Sequence, residues 1–193
     1  MTNQAQKRRK AAMDSAGNVC VNHEAKLLVD TSRLRQWSWK RPVGSTYAML
    51  VTIWPGTVVI TGDCGEAIFR MTEGTRDATF SWLASVSGAH ETGPSWDYAL
   101  GKVQNRMQDE FLAEDAMEWL VESAAANSAN MQEYRCVRLV LELEPDIDIN
   151  RWIDICALNG ISEPNPCKDF NSQHLFQVAM LGRFCRAVLD GCP

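Results

Sequence analysis

The sequence predicts an α+β fold, with an N-terminal antiparallel β-meander of about four or five strands followed by a C-terminal helical half of about five or six helices. Three observations carry this reading. Residues 47–70 contain three segments rich in β-formers, separated by two turn signals. After residue 75 the apolar residues recur at helical spacing. Strands come first and helices afterwards, which argues against alternating βαβ units. The 193 residues are 46% hydrophobic and 22% charged, a composition that suits one globular domain with a buried core. The expected organisation is a flexible basic arm over 1–17 and a single domain over 18–193, β-rich to residue 74 and helical from 75.

Residues 1–17 are polar and lack apolar periodicity, hence the expected arm. Ala25–Asp30 reads as a first strand and Leu34–Trp39 as a second. Tyr47–Trp54 ends at Pro55-Gly56, where proline presets φ and glycine supplies a positive one. Thr57–Thr61 runs back, Gly62-Asp63-Cys64-Gly65 turns the chain again, and Glu66–Arg70 returns.

Helices are expected from an Asp77 cap to Gly88, from a Ser95 cap through Val103, and from Asp109 through Leu120, with fraying over Ala124–Asn130. His90–Pro94 reads as a loop. Tyr134, Val137 and Leu141 form a further stripe. Asp148 caps a helix that Asn159-Gly160 ends, Glu163–Pro166 is a rigid link, and Ser172 opens the last helix.

The longest apolar run is too short to cross a bilayer, and the basic stretch Met1–Lys10 is not followed by the apolar core of a secretory signal. The expectation is a protein of the cytoplasm, without membrane association. Its seven cysteines, Cys20, Cys64, Cys136, Cys156, Cys167, Cys185 and Cys192, show no two-residue pairing and are expected to be reduced. Cys156, Cys167, His174 and Cys185 could converge on a metal, but their long, irregular gaps argue against it. No metal and no cofactor are expected.

The net charge of −5 hides a polarised chain. Residues 1–41 carry nine Lys or Arg against three Asp or Glu, a balance of +6; the remainder carries ten against 21, a balance of −11. The basic part has Lys7, Arg8, Arg9 and Lys10, then Arg33 and Arg35 interleaved with Trp37 and Trp39, a pattern that can grip phosphates and stack on bases. The acidic part has Asp109, Glu110, Glu114, Asp115, Glu118 and Glu122 with no basic residue among them. Such a run is either a solvated helix face or a docking surface whose field draws in a basic partner.

None of the three histidines, His23, His90 and His174, sits in a hydrolase or metalloenzyme signature, and there is no Walker A loop, nucleophile elbow or dinucleotide fingerprint. Cys64 lies beside Asp63 in a turn, without the cation or helix N-terminus that activates a thiol. No catalytic residue is nominated.

Ile53–Gly65 followed by Ile68-Phe69, together with Ser95–Lys102, resembles a pattern in uncharacterised accessory proteins of bacteriophages and prophages. There a W-P-G-T hairpin leads into I-T-G-D-x-G and a tryptophan-bearing helix. The resemblance spans roughly residues 45–105. It implies an antagonist of host machinery, such as an anti-CRISPR protein. Combined with the charge, this gives the leading expectation, a non-enzymatic inhibitor that binds a host defence complex through Asp109, Glu110, Glu114, Asp115, Glu118 and Glu122, with Trp119 beneath them. The alternative is a nucleic-acid-binding accessory protein using Lys7–Lys10, Arg33, Arg35, Trp37 and Trp39. The oligomeric state is left open.

Overall fold

The strands precede most of the helices in the computed structural model, which describes residues 3–44, 46–71, 74–89, 94–105, 109–126, 131–144, 146–162, 164–165 and 167–191. Helix α1 (Asn3–Val19) leads into β1 (Glu24–Asp30), β2 (Arg35–Lys40), β3 (Met49–Trp54), β4 (Thr57–Gly62) and β5 (Ala67–Arg70). Then follow α2 (Arg76–Val86), α3 (Trp96–Leu100), β6 (Glu110–Phe111), α4 (Ala113–Ala126), α5 (Met131–Leu143), α6 (Ile149–Leu158), β7 (Lys168–Asp169) and α7 (Ser172–Leu189). The fold is α+β, and β1 to β5 form one antiparallel sheet in sequence order.

Two expectations are corrected. Asn3–Val19 is a helix, not a flexible arm. Its Ala, Gln, Lys and Arg content favours helix, and its buried positions are Ala5, Arg9 and Ala16, so little apolar periodicity marks them. The chain also divides into two compact units where one domain was expected: Met1–Arg8 with Gln108–Asn171, and Arg9–Met107 with Ser172–Pro193. The last helix therefore belongs with the meander, while the segment between has a core of its own.

In the meander unit, strict alternation places one row of side chains inward. Trp37 stands opposite Val51, Val51 opposite Ile60, and Val58 opposite Phe69, and all five are buried. Leu50 and Trp54 point the other way and stay exposed. The free edge, β1, carries an irregularity between Leu27 and Val29 and the charges of Glu24, Lys26 and Asp30, features that discourage pairing with a foreign strand. The β5 edge is covered: Arg70 N–H donates to Lys102 O at 3.0 Å and Gln104 N–H to Ile68 O at 2.8 Å.

Helix α7 lies against this sheet. Phe184 sits edge-on to both Trp37 and Trp39, with ring centroids 5.5 and 5.8 Å away. The two tryptophans expected to stack on bases are therefore core residues, 5% and 2% exposed.

Some boundaries also move. Thr75, not Asp77, caps α2, accepting from Ala78 N–H at 3.2 Å. Ser95 heads α3 without a side-chain capping bond, and α3 stops at Leu100, leaving Val103 to bridge to Phe69. Residues 110–111 pair with 168–169 as strands, so the helix expected from Asp109 begins at Ala113. Asp148 caps α6 as expected, accepting from Arg151 N–H at 2.8 Å. Most of the expected loop over His90–Pro94, the end of the fraying stretch (127–130) and parts of the 163–166 link lie outside the described residues.

The turn between β4 and β5 is tied down from two sides. Asp63 N–H donates to Ala48 O and Ala48 N–H to Asp63 Oδ2, both at 3.0 Å. The Cys64 carbonyl accepts from Gln177 Nε2 at 2.9 Å and from Gln173 Nε2 at 3.2 Å. Gly62 has φ +135° and Gly65 φ +81°. A Cβ on Gly62 would overlap the Ala48 carbonyl oxygen, which is backbone and cannot yield, whereas one on Gly65 would meet the movable Gln173 amide. Thermal or urea melts should therefore rank the two: Gly62→Ala costs about 2–4 kcal/mol and Gly65→Ala about 1–2 kcal/mol. Equal losses would place the strain elsewhere.

Candidate functional site

The unit formed by Met1–Arg8 and Gln108–Asn171 holds six Lys or Arg against fourteen Asp or Glu, a balance of −8, while the meander unit balances at +3. The acidic unit is built on Trp152. It is fully buried, its Nε1–H donates to Asn165 O at 2.8 Å, and the rings of Phe111 and Trp119 lie 5.7 and 5.9 Å from it. Ala116 and Leu120 of α4, Val137 and Leu141 of α5, and Ile155 and Cys156 of α6 close around it.

This packing fixes which face of α4 reaches solvent. Glu114, Glu118 and Glu122 are four residues apart, and all three are exposed, forming one row along the helix. Trp119 is partly buried at the core, edge-on to Tyr134. Beside the row, Val121, Ala125, Met131, Tyr134 and Arg138 line a shallow groove of about 190 Å³ between α4 and α5.

The other three expected carboxylates do not join the row. Asp115 is 4% exposed and accepts from Gln4 N–H at 3.2 Å, so it is an internal group. Glu110 pairs with Arg8, and Asp109 with Lys168 at 3.1 Å. The six acids thus separate into an outward row and a set engaged within the unit: Asp109 and Glu110 lie at the β6–β7 pairing, and Asp115, though it shares the first turn of α4 with Glu114, is buried.

The basic candidates disperse as well. Lys7 Nζ lies 3.8 Å from Glu114 Oε2, and Arg8 also donates to Phe170 O at 3.2 Å. Arg9 is buried and pairs with Asp97 at 3.0 Å. Arg35 lies near Asp30 and Asp77 and over the Trp37 ring. Only Lys10 and Arg33 of that set are exposed without an ion pair among the described residues. In the sequence the basic and acidic runs look like rival surfaces, whereas Lys7 and Arg8 partner Glu114 and Glu110. Their opposite signs were visible, but their proximity was not.

His23 is buried with Nε2 3.3 Å from Tyr47 O; burial, and to a lesser degree Arg41, holds its pKa below the usual histidine value. His174 is buried and meets Gln177 Oε1 at 2.7 Å. Since Gln177 Nε2 donates to Cys64 O, its oxygen is left to accept, and His174 Nδ1 carries the proton. His90 lies outside the described residues. Among the described residues no three His, Cys, Asp or Glu side chains are placed to hold a metal ion. Of the four ligands weighed from the sequence, Cys156 and Cys167 belong to the acidic unit, and His174 and Cys185 to the meander unit.

Cys64 is buried beneath α7, its Sγ 3.2 Å from Met180 Sδ. Burial, with smaller contributions from Cys20 and Asp63, pushes its pKa up to about 11. Burial likewise pushes Cys156, Cys167 and Cys185 up to about 12, and raises Cys20. These thiols are protonated at neutral pH, the opposite of nucleophile activation.

Compared with known protein families, with characterised proteins and with solved structures, the chain matches none.

The thiol shifts have a sign that can be checked. An unfolded chain ionises these cysteines near 9.0, whereas the folded chain holds the protons to about 11 or 12. Their stabilising contribution is complete below pH 9 and is lost as pH rises through the folded values. Melts at pH 8 and pH 10.5 should show a fall that shrinks by about 1–2 kcal/mol in Cys156→Ala. An identical fall in the variant would mean that the Cys156 thiol is not protected by folding.

Proposed function

We propose that this protein works by binding, presenting the Glu114–Glu118–Glu122 row of α4 to a basic surface on a partner protein. The supporting observation is that the row costs the helix stability. Like charges at i,i+4 repel, by about 0.2–0.5 kcal/mol per pair, and Glu118 takes part in two such pairs. The helix dipole favours an anion at Glu114, in the first turn, so the cost of the row falls on Glu118 and Glu122. Among the described residues only Glu114 of the three has an ion-pair partner, and that pair is long and exposed. Residues that weaken their own helix are retained at interaction sites, where stability is given up for function. A negative field in a unit of −8 speeds encounter with a positive partner and disfavours others.

The resemblance of residues 45–105 to phage accessory proteins extends this reading to an antagonist of a host defence complex that handles nucleic acid. Such complexes carry basic channels, a surface of matching sign. The nucleic-acid reading loses Trp37 and Trp39 to the core and Arg9 to Asp97, so it keeps little of its site.

The two consequences of the row should separate cleanly in Glu118→Lys, which converts both of its repulsive pairs into attractive ones. Melts should show a gain of about 0.5–1 kcal/mol, while titration with fluorescein-labelled decalysine at low salt should show weaker binding that depends less on salt. A variant that is stabilised yet binds the probe as well as the natural chain rules out the row as the docking surface.

A further inference from the structure

We propose that the first two turns of α1 are an autoinhibitory contact, a built-in basic occupant of the acidic surface that a partner must displace. This rests on the docking reading above. The contact is made by charges at the end of the α4 row. Lys7 reaches Glu114, Arg8 pairs with Glu110 and donates to Phe170 O, and Gln4 N–H donates to Asp115 Oδ1. Glu114 thus belongs both to the outward row and to the seat of α1.

The composition of the seat makes it displaceable. Among the described residues of α1 up to Arg8, Ala5 is the one buried apolar side chain, so little apolar area holds this stretch down. The Lys7–Glu114 pair is open to water on both sides, with 64% and 70% of the two side chains exposed, and an exposed pair at this distance contributes little and is weakened by salt. Arg8 supplies the firmer hold, with only 16% of its side chain exposed. A Lys- or Arg-bearing helix or loop of a partner would pair with Glu114 and Glu110 in place of Lys7 and Arg8. It would also reach Glu118 and Glu122, which α1 leaves without an ion pair among the described residues. The contact then acts as a threshold, since a partner must offer more positive charge than Lys7 and Arg8 together to win the surface.

The test compares three full-length proteins by titration with fluorescein-labelled decalysine at low salt: the natural chain, Lys7→Ala/Arg8→Ala, and Lys10→Ala/Lys26→Ala. Both double variants change the net charge equally, but Lys10 and Lys26 are exposed residues outside the seat. Lys7→Ala/Arg8→Ala should bind roughly five-fold or more tightly than the natural chain, and the control less than two-fold. In the natural chain, the probe should shift the Gln4 amide resonance, since displacement breaks its bond to Asp115. If Arg8→Ala lowers the melting temperature, Lys7→Ala/Arg8→Gln carries the comparison, because the Gln amide removes the charge while keeping a donor on a polar side chain. Equal affinities across the set, or equal gains in both double variants, overturn the autoinhibitory contact and leave the docking reading standing. No binding by any of the proteins overturns both.

Discussion

The edge-on seating of Phe184 between Trp37 and Trp39 is the constraint on which the meander unit depends. Two tryptophans two residues apart on one strand must point to the same face, so burying both fixes the register of β2. Through it, the pairings with β1 and β3 are fixed as well. Burying two indoles and a phenyl ring also supplies a large share of the apolar area of this unit, since each aromatic removes about 150–250 Å² from water. The carbonyl of Cys64, held by Gln173 and Gln177 from the same helix, anchors the far end of the meander to α7. One helix therefore secures the second strand and the last turn together.

The meander was legible because its signals are local. Pro55-Gly56 and the Gly62–Gly65 turn announce reversals, and the alternation in Met49–Trp54 and Thr57–Gly62 names the inward face. The Asp148 cap and the Asn159-Gly160 stop were legible for the same reason. Helix α1 was not. Hydropathy marks burial only where burial is apolar, and α1 buries alanines and an arginine. The division into two units was hidden as well, because it depends on residues 172–189 packing against a sheet far away in sequence, and nothing local in that helix names its partner.

The candidate surface was legible in sign but not in detail. In the run from Asp109 to Glu122, periodicity from Ala116 and Leu120 sorts Glu114, Glu118 and Glu122 outward. The same periodicity cannot place Asp109 and Glu110, which lie on and beside a short strand whose mate is residues 168–169. Asp115 is inward because a backbone N–H from the other end of the chain needs its oxygen. The basic and acidic runs looked like two surfaces with different partners. In the acidic unit Lys7 and Arg8 cancel part of that opposition, and the charge that remains unpaired is narrower than composition suggests.

The meander unit is also discontinuous in the chain, and this bears on its synthesis. Trp37 and Trp39 leave the ribosome roughly 145 residues before Phe184, which at ~5–20 residues per second is about 7–30 s. For that interval the sheet has an uncovered aromatic face. Residues 108–171, emerging meanwhile, carry the whole of their own buried cluster around Trp152 and need nothing from α7 to assemble it. The nascent chain therefore completes its middle before its beginning, and the β-rich half is the part exposed to aggregation or to chaperone capture while it waits.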